Sequence, residues 1–174
     1  MKKKVYPAIA SAIISLSAFV LIMSSWKVKS DESVIEFRGG NIHGFFKGLK
    51  ADIVFDRENP EAAKMSASID ATSLATGFFI KTMHAKDALG VDEHPVIKFV
   101  STSVSKTSDG YLAKGDLTLK SVTKPVSIHF TFDEKGNQGV FKGTLKMIPK
   151  DFGIDRYGTP KEVVVNLTVP VTKT

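Results

Sequence analysis

The sequence predicts an all-β domain of seven or eight antiparallel strands, closed as a barrel or packed as a sandwich, behind a cleavable leader. Three observations predict it. Apolar and polar residues alternate with period two through most of the chain, turn-forming residues separate the alternating segments, and in a single stretch the alternation gives way to helix-like spacing. Successive strand side chains point to opposite faces, so each alternating segment has one buried and one wet face. Antiparallel sheets read this way; the strands of parallel sheets are apolar throughout.

The elements follow in chain order. Lys2, Lys3 and Lys4 precede a 16-residue apolar run from Ala8 to Met23, broken only by Ser11, Ser15 and Ser17. The run is shorter than the ~18 residues that suggest a spanning helix, which favours a secretory signal over residues 1–25, with a retained anchor as the alternative. Cleavage is expected near Ser24 or Ser25, leaving residues 26–174 as the domain. Either way the domain faces the far side of a membrane, periplasmic or secreted.

A first strand is expected from Phe45 to Phe55, where Leu49, Ala51, Ile53 and Phe55 alternate with Lys50 and Asp52, and Lys47 breaks the odd face. Met65, Ala67 and Ile69 share the inner face of the next. From Thr72 to His94, Leu74, Phe78, Phe79 and Met83 recur at helical intervals, predicting one short helical excursion. Ile97 and Phe99 then flank Lys98. Tyr111, Ala113, Gly115, Leu117 and Leu119 oppose Lys114, Asp116, Thr118 and Lys120. Ile128, Phe130 and Phe132 oppose Ser127, His129 and Thr131, which places His129 outside. Val163, Val165, Leu167 and Val169 close the chain opposite Asn166 and Thr168. Arg57-Glu58-Asn59-Pro60, Ser108-Asp109-Gly110 and Lys135-Gly136-Asn137 are turn signals. Lys120 to Pro125 joins two strands, with Pro125 at or near the start of the second. Gly39-Gly40 and Gly44 to Gly48 read as a turn or bend in a curved sheet.

Charge and composition exclude several functions. The formal charge is +6, but the leader holds three lysines and no acid, leaving 21 basic and 18 acidic groups, a net +3, in the other 149 residues. No basic stripe remains to neutralise phosphates, which argues against nucleic-acid binding. The chain has no cysteine, and so no disulfide, thiolate nucleophile or Cys-ligated zinc. His43, His84, His94 and His129 form no close pair of the zinc-binding kind. His84, Asp87, Asp92, Glu93 and His94 are the densest polar group, read as a polar loop with a helix-stabilising His84–Asp87 pair. No G-x-S-x-G or S-x-x-K pattern marks a nucleophile. The carboxylate pairs Asp31-Glu32, Asp92-Glu93 and Asp133-Glu134 are neighbours in sequence and diverge. No catalytic group, metal site or cofactor is expected.

Shape remains. Of twelve phenylalanines, eleven follow the leader and several face inward. An eight-stranded barrel can fill with side chains or hold one small ligand, and small inward residues at Ala113 and Gly115 leave room on one wall.

Specific strings narrow this. Asp116-Leu117-Thr118-Leu119-Lys120-Ser121-Val122-Thr123-Lys124-Pro125-Val126 resembles the G-x-L-T-[IL]-x-G-V-T-[KR]-P-V signature of the YceI-like family. His94-Pro95-Val96-Ile97-Lys98-Phe99-Val100-Ser101 is similar to its P-x-I-x-F-x-S strand. Ala67 to Gly77 resembles its v-x-I-x-x-x-S-I-x-T segment, and Asp151-Phe152-Gly153-Ile154 with Glu162-Val163 resembles its C-terminal F-G-I and d-x-V. The strings run in family order over roughly residues 26–172. The resemblance implies an eight-stranded antiparallel lipocalin-like barrel with one short helical excursion, exported to the periplasm, binding polyisoprenoid-type lipids in a long apolar pocket without an enzymatic step. The chain departs from the family where it has Glu32-Ser33 for His-Ser. It also has Lys81-Thr82 for Arg-Asp and Leu89-Gly90 for an aromatic pair, while His84 matches the family's histidine.

Two readings follow. In one, the domain carries or sequesters a long apolar molecule, with Phe37, Phe45, Leu49, Phe99, Leu117, Leu119, Ile128 and Phe130 as the expected wall and Phe78, Phe79 and Met83 as the expected mouth. In the other, the barrel is filled and acts through its surface, as an envelope-stress or protein-interaction module; a third, enzymatic, reading would need the His84–His94 group to converge with an activated water or nucleophile. The expected partner is an apolar lipid of isoprenoid type; nucleic acid is not expected, and a membrane only through an uncleaved leader.

Overall fold

A computed structural model describes residues 23–174. The expected leader lies outside them except for its last residues. Ser24 and Ser25 already belong to the barrel: the Ser24 carbonyl accepts from the Phe55 amide and the Ser25 carbonyl from the Thr174 amide.

Ten strands and one helix make up the domain. The strands are β1 (Ser25–Val28), β2 (Val34–Gly39), β3 (Ile42–Phe46), β4 (Lys50–Val54), β5 (Lys64–Asp70), β6 (Val96–Thr107), β7 (Gly110–Leu119), β8 (Val122–Lys135), β9 (Gln138–Met147) and β10 (Val163–Lys173). The helix α1 (Phe79–Leu89) falls inside the expected excursion. Every pairing is antiparallel, and the sheet closes where β10 bonds β1 through Val171–Lys173 and β2 through Val164–Thr168. β1 and β2 act as one bent stave of the barrel, as do β3 and β4, so ten segments close as eight staves. Closure removes most free sheet edges; β3 ladders only with β2, and Ala75 bridges Phe45 on its other side. Among the described residues the closed ladder and both apolar clusters lie within residues 24–174, so a chain beginning at Met23 contains all of these pairings and contacts.

The expected continuous strand from Phe45 to Phe55 is not formed. Lys47 to Leu49 interrupt it, with Gly48 at φ +71°. Phe46 and Leu49 are both buried although three positions apart, because the extra residue reverses which parity faces inward. The link from Lys120 is also tighter than expected. Lys120 and Ser121 alone turn the chain, at φ +51° and +60°, the left-handed conformation of a two-residue hairpin loop. Pro125 then sits inside β8, opposite Asp116. It is tolerated because β8 meets β9 only from Ile128 onward, leaving no ladder bond on that side for a proline to break.

One end of the barrel is plugged by aromatics. Phe55 is fully buried, with the rings of Tyr111, Phe130, Phe132 and Phe141 at centroid distances of 5.0, 5.6, 5.3 and 5.5 Å. Trp26 stands edge-on to Phe132 at 4.9 Å and donates its indole N–H to the Phe55 carbonyl at 3.0 Å. Buried aromatics prefer such tilted geometry, and buried Trp N–H groups require an acceptor.

Candidate functional site

Above the plug the inward side chains turn aliphatic and stop meeting across the barrel. A cavity of about 720 Å³ opens there, within the range of small-molecule sites. Its walls come from every stave: Ile35 and Phe37 on β2, Phe46 on β3, Ala51 and Ile53 on β4, Ala67 and Ile69 on β5, Ile97 and Phe99 on β6, Leu117 and Leu119 on β7, Ile128 on β8, Leu145 and Met147 on β9, Val163 and Val165 on β10. Phe130 and Phe141 belong to both regions and form its floor. Among the described residues, no buried side-chain polar atom lacks a hydrogen-bond partner. Below the rim the lining is apolar apart from Ser66 and Lys98, so the interior offers a ligand mainly apolar surface.

Polar groups gather at the rim. Asn41 at the β2–β3 turn, Lys81 and His84 on α1, and Arg156 to Thr159 in the β9–β10 connection border the opening. α1 lies across it, tied at both ends. Before the helix, Phe45 and Ala75 exchange backbone hydrogen bonds at 2.9 and 3.0 Å, and the Thr76 amide donates to the Thr82 hydroxyl. At its end, Lys120 Nζ donates to the Ala88 and Gly153 carbonyls at 3.0 and 3.4 Å, and Arg156 pairs with Asp87. The Arg156 hydrogen bond holds the Asp87 carboxyl below the usual carboxylate range.

Of the residues expected to line the site, Phe37, Leu49, Phe99, Leu117, Leu119, Ile128 and Phe130 do face the cavity. Four do not. Phe45 lies on the outer face opposite Glu36, with Lys47 Nζ 5.8 Å from its ring centroid; the parity change near Gly48 puts Phe46 inside instead. Phe78, Phe79 and Met83 are exposed on the solvent side of the α1 segment, because the helix turns Lys81, His84, Ala85, Ala88 and Leu89 to the cavity. The room expected beside Gly115 is taken: a Cβ there would stand 2.7 Å from the Phe99 ring, an aromatic covering a strand glycine. Gly44 is covered in the same way by Phe37.

β9 supplies wall residues that the sequence reading did not single out. Its signal is plain alternation: Phe141, Gly143, Leu145 and Met147 between Lys142, Thr144 and Lys146. The His84–His94 group does not assemble into a catalytic or metal centre. His84 faces the rim, whereas His94 Nδ1 lies 2.9 Å from Ser121 Oγ in an exposed turn. Among the described residues no cluster of three His, Cys, Asp or Glu could hold a metal ion.

A family model described as the YceI-like domain matches residues 26–173. A UPF0312 protein of Pseudomonas putida strain F1 is 31% identical over 180 residues, covering 94% of each chain. The crystal structure of Burkholderia cenocepacia BcnA superposes with a TM-score of 0.69 at 21% identity, covering 86% of this chain and 96% of that one. A polyisoprenoid binding domain from Saccharophagus degradans superposes with a TM-score of 0.63 at 11% identity, covering 86% and 98%.

Proposed function

The chain belongs to the family of YceI-like domains, and on that premise we propose that it binds and carries a long apolar molecule of isoprenoid type inside its barrel. The observation that carries the reading is the cavity of about 720 Å³, apolar on every wall and open at one end. Each methylene buried there contributes ~0.8 kcal/mol, so a chain of a dozen carbons gains on the order of 10 kcal/mol before the cost of ordering it. The likeness in fold to a polyisoprenoid binding domain supports the same ligand class. With a mainly apolar interior, selectivity rests on chain length and on what the rim accepts. The carrier acts after export, a reading supported by Lys2–Lys4 and the apolar run behind them.

Organic extraction of the purified protein with mass spectrometry tests this directly. One discrete isoprenoid species, and saturable binding of a polyprenyl lipid by the delipidated protein, are expected. An empty extract together with no binding overturns the reading in favour of a surface-acting module.

A further inference from the structure

The start of α1 exposes large apolar side chains that neither cavity nor core uses. Phe79 is 82% exposed, and Phe78, Ile80 and Met83 are all more than half exposed. Phe78 occupies the N-cap, where Ser, Thr, Asp or Asn ordinarily cap the helix through a side-chain hydrogen bond, and it makes none. The helix therefore forgoes a stabilising residue to hold an aromatic in water. Contiguous exposed apolar surface of this kind marks a contact site.

We propose that this segment docks the barrel mouth onto an anionic phospholipid bilayer. Charge selects that occupant. From Thr72 to Lys86 there is no acidic residue, while Lys81, His84 and Lys86 are present. The nearest flanking carboxylates are engaged, Asp70 with Thr72 and Asp87 with Arg156. Lys81 extends its ammonium over the Phe78 ring, 5.3 Å from the centroid, where its stem can insert with the aromatics while its charge meets lipid phosphates. The patch also borders the cavity, since Lys81 and His84 line the rim, and fully exposed Tyr157 faces it from the β9–β10 connection. A bilayer meeting this patch would thus lie beside the cavity rim. The proposal rests on the lipid-carrier reading for its purpose, not for its geometry.

The test exploits the absence of cysteine. In a chain of residues 23–174, a polarity-sensitive fluorophore is placed through Phe79→Cys, or through Lys135→Cys at the plugged end, and mixed with phosphatidylcholine vesicles with or without phosphatidylglycerol. The expected result is a blue shift and quenching by brominated lipid at position 79 only, requiring phosphatidylglycerol and weakened by salt. Unlabelled Phe79→Ser/Ile80→Ser should lose at least tenfold in vesicle flotation, and Lys86→Gln roughly fivefold. An aqueous spectrum at position 79 on anionic vesicles overturns the proposal. So does a blue shift that grows with protein concentration in buffer alone, which assigns the patch to a second copy. Insertion without any extractable or titratable lipid leaves docking standing and refutes the carrier; lipid binding without insertion does the reverse.

Discussion

At the plugged end of the barrel, Phe55 is fully buried against four aromatic rings. At the mouth end, the same staves carry Ile53, Leu117, Ile128 and Leu145 around about 720 Å³ of space. Backbone and alternation are alike at both ends; side-chain reach differs. An eight-stranded barrel is just wide enough for side chains to fill, so rings arriving from several staves close it, whereas aliphatic side chains backed by Ala51 and Ala67 leave it hollow. One end holds the fold together and the other leaves the space that the proposed ligand would occupy.

Four measurements can break or sharpen that division. Phe55→Ala should cost ~3–5 kcal/mol in denaturant melts of the delipidated protein, and a loss below about 1 kcal/mol would dissolve the distinction. Phe130→Ala lies on the boundary and should lose on both counts, stability by ~3 kcal/mol and lipid affinity as well, because its ring stacks on Tyr111 at 5.2 Å while also flooring the cavity. Ile97→Ala on the wall should cost less than the ~2–5 kcal/mol of a packed site, its side chain already lacking partners on one face. Its polyprenyl affinity should fall roughly tenfold for the methylenes removed. Full core-sized destabilisation with unchanged affinity would mean that the cavity wall behaves as core.

The smallest effect concerns the rim. The Asp87 carboxyl titrates below its unfolded value because Arg156 donates to it, so the Asp87–Arg156 pair contributes at every pH above the ordinary carboxylate range. It is lost as pH falls through the lowered value. Stopped-flow lipid exchange should be flat from neutral pH to about pH 5 and faster in acid, the Asp87→Asn protein showing the fast rate throughout. Acid-independent exchange in the parent protein would detach the pair from the opening of the mouth.

Much of this architecture could be read before folding, and each misreading has its own physical cause. The inward faces of β5, β7 and β8 follow directly from alternation, because each is an uninterrupted ladder flanked by clear turns. Phe45 was misplaced because a single extra residue near Gly48 reverses parity, and alternation cannot show where a bulge falls. Helical spacing marks Phe78, Phe79 and Met83 as part of the excursion but does not say which face of the helix meets the cavity. Here the helix rests on the cavity with Ala85, Ala88 and Leu89, and leaves its larger side chains in water.

The sequence by itself determined the inward faces of β5, β7 and β8, the helical excursion and the absence of a recognisable nucleophile or thiol, because these depend on neighbours in the chain. Only the tertiary structure decided that β10 closes on β1 and β2, that Phe99 fills the gap at Gly115, and that rings plug one end while aliphatic residues leave the other hollow. Those outcomes depend on which side chains meet across the barrel, and residues that meet there, such as Phe55 and Phe141, are separated in the chain by whole strands whose register no local pattern encodes.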